Sequence, residues 1–191
     1  MAERKVTSAK PFPSESPSSG TYRISVRRVL VRPDIRLSLA AEYVDPTDPD
    51  TVALAAALVT TMRAHRGCIG LSAPQIGERS RLFCVDVTGH RHARSCAGLV
   101  VMCNPAILWK SYEVVLREGC LSVPHLTGNV ARAAHVIVEG FEPGTGRAVR
   151  VHADGIEARC LQHEVDHLDG FLFVDRVKNP TTDLFARKTY T

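Results

Sequence analysis

Long apolar runs, paired cysteines, internal repeats and a dominant charge sign are all missing from this chain of 191 residues. No apolar stretch approaches the ~18 residues of a membrane span, which excludes a membrane-spanning reading and any membrane partner. No apolar h-region opens the sequence, and the six cysteines (68, 84, 96, 103, 120 and 160) form no CxxC pair and no small-domain spacing. A disulfide scaffold is therefore excluded, and a reducing cytoplasm is the expected location. Against 24 Lys and Arg stand 20 Asp and Glu, with the basic residues scattered. A net charge of +4 in that form predicts no direct nucleic-acid recognition.

What is present is ordinary globular composition, 45% hydrophobic and 23% charged. A chain of this length can bury roughly 70% of the surface it exposes when unfolded, so its core needs no metal and a metal site here is expected to be catalytic. Residues 1–20, rich in Ser and Pro, read as a disordered tail; 21–178 read as one folded domain and 179–191 as a C-terminal tail.

Asp48-Pro49-Asp50 followed by an Ala- and Leu-rich run predicts a helix stopped at Gly67. Short β-branched runs follow at Leu82–Val87, Leu99–Cys103, Tyr112–Leu116 and Val130–Val138, the last alternating Val130, Arg132, Ala134, Val136 and Val138 on one face. Glu142–Gly146 reads as a hairpin loop into Ala148–Val151. A second helix opens at Asp154, with Glu157 completing a capping box, and closes at Gly170. At ~100° per residue, Ile156, Cys160, His163 and His167 share one face of it, while Leu161, Val165 and Leu168 form another. Arg159, Gln162, Asp166 and Asp169 make a narrow polar stripe between them. Such a helix runs through the middle of its domain, and the fold class expected is α+β, antiparallel sheets around this central helix.

His163-Glu164-Val165-Asp166-His167 is HExxH. The i,i+4 spacing stacks two imidazoles one turn apart and leaves a carboxylate beside the ion they would hold. An open catalytic site needs a third protein ligand. Cys160 lies one turn before His163, where three ligands on one helix would be cramped; Cys120 sits at a strand end between Gly119 and Pro124. A third segment, Gly67–Gly77, offers small residues for close approach of a substrate backbone, and Gln75 an uncharged amide donor.

These segments together resemble the peptide deformylase family, whose signatures appear here as Cys68–Gln75, Glu118–Ser122 and Gln162–His167. The resemblance spans roughly residues 28–177 and includes the entry segment Leu30–Asp34. It implies that Cys120, His163 and His167 bind one metal ion per chain, Fe²⁺ with Zn²⁺ or Ni²⁺ as substitutes. It further implies that Glu164 is the general acid/base and that Gln75 and the Leu121 backbone N–H stabilise the oxyanion. The implied reaction is removal of the N-formyl group from the formyl-methionine of nascent polypeptides, near the ribosome, with release of formate. Ile69, Gly70, Leu116, Glu118, Ile156 and Cys160 are then the substrate-binding residues, and Arg132 braces the Cys120 loop through Glu118. Peptide backbone would add as a strand along Ile69–Gly70 and the segment after Ser122. An HExxH metallopeptidase and a degenerate deformylase fold used as a binding module are the alternatives. Cys68 at a family glycine, Ser72 at a usual alanine, His125, and a long Thr88–Gly98 loop depart from the family pattern.

Overall fold

The computed structural model describes residues 25–187; the tail expected over residues 1–20 lies outside them. The elements are α1 (Pro49–Ala64), β1 (Gly70–Ser72), β2 (Leu82–Val85), β3 (Val100–Lys110), β4 (Glu113–Cys120), β5 (Val123–Ala133), β6 (His135–Phe141), β7 (Ala148–Asp154), α2 (Gly155–Leu168), α3 (Pro180–Asp183) and β8 (Leu184–Ala186). They build two antiparallel sheets, one in the order β1-β2-β3-β6-β7 and the other β4-β5-β8. The α+β class expected from sequence is what the chain adopts.

Helix α1 starts as its sequence dictates: the Asp48 side chain accepts the Asp50 N–H at 2.9 Å, with proline in the first turn. Its Ala55, Leu58 and Met62 pack on Leu71, Leu82 and Cys84 of β1 and β2. Helix α2 lays Leu161, Val165 and Leu168 on Phe83, Val85, Met102, Val136 and Val138 of the five-stranded sheet. Gly170, at φ +81° just past the helix end, takes the left-handed turn that stops it.

Three details differ from the sequence reading. The run Val130–Val138 is two strands, β5 and β6, which belong to different sheets. Val130, Arg132, Ala134, Val136 and Val138 are all buried across the switch, where Ala133 is buried as well, because α2 lies against both sheets. The capping box at Asp154 does not form. Instead the Asp154 carboxylate accepts the Ser95 N–H at 3.0 Å, and Glu157 accepts the Ala97 N–H and the Ser95 hydroxyl, each at 2.7 Å. Those two acids tie the long 88–98 loop to the start of α2. Finally, the fold continues past residue 178: β8 pairs with β5 from Leu126↔Ala186 to Gly128↔Leu184.

Helix α2 is buried on nearly every side, including Arg159, Gln162 and Asp166 of the polar stripe. Gln162 satisfies its amide on the Ala133 backbone, accepting its N–H at 3.1 Å and donating to its carbonyl at 3.0 Å. The two sheets leave β1 and β4 as edge strands, and the helix carries its HExxH sequence between them.

Candidate active site

A cavity of about 260 Å³ opens between the two edges, walled by Cys68–Gly70 on one side, Arg117–Leu121 on the other, and by Ile156, Cys160, His163 and Glu164 of α2. Cys120 ends β4, and a tight turn through Leu121 and Ser122 returns the chain into β5. One ligand atom each from Cys120, His163 and His167 can be chosen so that all lie within 4.8 Å of one another. Cys120 Sγ is 3.3 Å from His167 Nε2, and Nδ1 of His163 is 3.0 Å from Glu118 Oε2. A carboxylate on one ring nitrogen fixes the imidazole and leaves the other for an ion.

The donor set fits a divalent transition metal. Burial alone would raise the Cys120 thiol, but the two histidines beside it hold it well below the ordinary thiol range, in the thiolate form a metal requires. Two imidazoles and one thiolate would hold such an ion and leave it able to take a water. Glu164, whose charge is coupled to His163, His167 and Cys120, has its Oε2 buried and without a hydrogen-bond partner. Burial pushes its carboxyl up to about 7, against the pull of His163 and His167.

Gln75 sits in a short 3₁₀ turn whose geometry sets its amide. Its Oε1 accepts from the Ser72 N–H at 3.0 Å and the Ser72 hydroxyl at 3.1 Å. Nε2 is thereby turned toward Cys120 Sγ at 3.4 Å and Ser122 Oγ at 3.2 Å. The entry segment clips both loops, Leu30 N–H donating to the Gln75 carbonyl at 2.7 Å and Arg32 N–H to the Ser122 carbonyl at 2.9 Å.

Glu118 is the hub of a buried network. Its carboxylate accepts from Arg132 Nε at 2.9 Å and Nη2 at 3.1 Å, and from Arg159 Nη1 at 3.0 Å. Arg132 also pairs with Asp166, which Arg176 holds at 2.7 Å. At 6% and 4% exposure the Arg132–Glu118 pair is not a solvated one. Burial opposes the Glu118 charge, yet His163 and Arg132 hold its carboxyl at about 2. Arg159, Asp166, Arg176 and Ser72 are partners that the sequence reading left out; the signal was Arg159 and Asp166 on a helix whose every face must be covered.

Ile69, Gly70, Ile156 and Cys160 line the cavity, as do Gln75 and Leu121. Leu116 does not. It shares a strand face with Glu118 and Cys120 but lies beyond the wall, 52% exposed. Glu118 touches the cavity, but its oxygens are taken by cations, so its place is behind His163 rather than on a substrate. The segment after Ser122 is no free edge either, because β5 is the central strand of its sheet; the edge strands at the cavity are β1 and β4. Cys68 donates its thiol to the Gly70 carbonyl at 3.1 Å, and burial pushes its pKa up to about 12.

The family model for polypeptide deformylase matches residues 26–183. The chain belongs to the polypeptide deformylase family. It is 38% identical over 159 residues to the peptide deformylase of Thermodesulfovibrio yellowstonii, covering 83% of this chain and 93% of that one. Peptide deformylase from Ehrlichia chaffeensis superposes with a TM-score of 0.76 at 33% identity, over 82% of this chain and 90% of that one. A peptide deformylase from Acinetobacter baumannii, solved with Met-Ala-Ser bound, gives 0.72 at 36% identity, over 81% and 99%. Deformylases are metal-dependent hydrolases that take the formyl group from newly made polypeptides, and that is the activity of this chain. The metallopeptidase alternative falls with this assignment. Among the described residues no helix is long and apolar enough to cross a membrane.

Proposed function

We propose that Cys120, His163 and His167 hold a single Fe²⁺, with Zn²⁺ or Ni²⁺ able to substitute, and that Glu164 moves the protons of the reaction. The observation that carries this reading is Glu164 Oε2, buried and without a hydrogen-bond partner, on a carboxylate that feels the charges of the three converging ligands. A divalent ion there supplies Lewis acidity, which brings the pKa of a water toward ~7. Glu164 takes the proton of the attacking water and later gives it to the leaving amine of the methionine. Gln75 Nε2, aimed by Ser72, and the Leu121 N–H donate to the oxygen that gains charge, each worth about 3 kcal/mol. Arg132 and Arg159 hold Glu118, and Glu118 holds His163.

Ile69, Ile156 and Cys160 supply apolar wall for the methionine side chain, and Met-Ala-Ser bound to the Acinetobacter relative supports a peptide in this position. The substrate is then the formyl-methionyl start of a nascent chain, met close to the ribosome in the cytoplasm. Formate release from formyl-Met-Ala-Ser, measured with the metal content of anaerobically purified protein, tests the reading. Turnover that scales with bound ion supports it, and a fully loaded site without formate release rejects it in favour of a binding module.

A further inference from the structure

The floor of the cavity and its mouth differ in charge. At the floor, Glu118 is neutralised by Arg132, Arg159 and His163, and Glu164 faces the ligand cluster. At the mouth stand Arg66, in the loop leaving α1, Arg117 on β4, and Arg187 just after β8. Among the described residues, none of these three forms an ion pair.

Two of the three are placed by defined contacts. Arg117 lies over the Phe185 ring, its guanidinium carbon 3.4 Å from the centroid. It donates only to neutral oxygens, Asn129 Oδ1 at 3.1 Å and Thr127 Oγ1 at 3.3 Å. The nearby acid, Asp183, accepts from the Asn129 amide at 3.0 Å instead. Arg187 is anchored by its N–H on the His125 carbonyl at 2.8 Å. Its guanidinium comes within 3.7 Å of the space over Gly119, on the cavity wall. A guanidinium keeps its charge at any pH of interest and presents a planar fork that matches a carboxylate. Preorganised cations that neutral groups support, and no anion satisfies, cost little to pair with an incoming one.

We propose that Arg66, Arg117 and Arg187 are specificity residues that favour formyl-methionyl peptides carrying Asp or Glu within the first residues after the methionine. The inference rests on the deformylase reading of the same cavity. A chain leaving the floor along the β4 edge would meet a rim to which residues 66, 117 and 187 all contribute. The formyl group removes the one positive charge that the substrate's own start would bring, so the downstream side chains decide the electrostatics.

The test is kcat/KM for C-terminally amidated formyl-Met-Ala-Xaa-Ser peptides with Xaa as Glu, Ser or Lys. At low salt, Glu should exceed Lys by about 10-fold, falling toward parity near ~1 M salt, where the Debye length is about 3 Å. The Glu-to-Lys ratio should drop toward 1 in R66Q/R117Q/R187Q and be retained in R117K. Should the triple variant not fold, R66Q alone, in an exposed loop, should lower the ratio about 2-fold. Equal rates for Glu and Lys peptides in the unaltered protein overturn the proposal. So does a ratio that survives the triple substitution while binding to poly(U) is lost, which would assign the arginines to RNA. If the Ser peptide is cleaved but charge makes no difference, only this proposal fails; if none is cleaved, the deformylase reading fails with it.

Discussion

Glu118 Oε2 lies 3.0 Å from His163 Nδ1, and the same carboxylate is gripped by Arg132 and Arg159. One buried acid therefore sets the direction of a metal ligand and is itself set by two cations. Glu118→Gln keeps the shape but weakens the acceptor. The expected result is 10- to 100-fold weaker metal binding, read by chelator competition. Glu118→Ala leaves buried Arg159 without its anion and Arg132 with Asp166 alone, and should cost about 3–5 kcal/mol in urea unfolding.

Cys120 and Cys160, both in the pocket wall, are predicted to behave oppositely. Cys120→Ser should release the metal, while Cys160→Ser, whose thiol burial holds well above the ordinary thiol pKa, should leave metal content intact. Elemental analysis of the two purified variants distinguishes them. A reversed pattern would move the third ligand into α2.

Gly70 has no room for a side chain. A Cβ there would lie 2.6 Å from Cys160 Sγ and closer still to Glu164 Oε1. Gly70→Ala is expected to displace the Glu164 carboxylate, lowering kcat at least 10-fold with the metal retained, and to cost about 1–3 kcal/mol in stability.

The buried Glu164 gives the metal-free protein a pH dependence of known sign. Its carboxyl is raised from 4.5 to about 7 on folding, so the folded state holds its proton more tightly than the unfolded state. Its contribution is favourable at low pH and is lost as pH rises from about 4.5 to about 7. At pH 8, metal-free Glu164→Gln should be more stable than the unaltered protein, by up to about 3 kcal/mol. Below pH 4 the gap should close. Urea denaturation at several pH values, with chelator present, reads this directly.

Much of the site was legible because its chemistry is local in sequence. HExxH is one helical turn, and EGCLS is one strand end. The helix wheel already set Ile156 and Cys160 on the face of His163, and both line the cavity. What the sequence hid depends on contacts across elements. In Val130–Val138 the even-numbered residues are buried in both halves because one helix covers both, and the small apolar Ala133 at the change of sheet is buried with them, so no polar residue marks it. Asp154 and Glu157 have the spacing of a capping box, but a loop some 60 positions earlier in the chain competes for their oxygens. Leu116 has the right strand parity for the pocket yet lies too far along β4 to reach it. Arg117 and Arg187 meet at the mouth only because β8 returns to pair with β5.

The most direct measurement of the central claim is metal content and formate release in the same preparation of Glu164→Gln. Gln keeps the volume of Glu but cannot carry the proton. The variant should carry a full complement of metal and release formate from formyl-Met-Ala-Ser about 10²-fold or more slowly. A loaded Glu164→Gln protein that turns over at near the unaltered rate would contradict the claim.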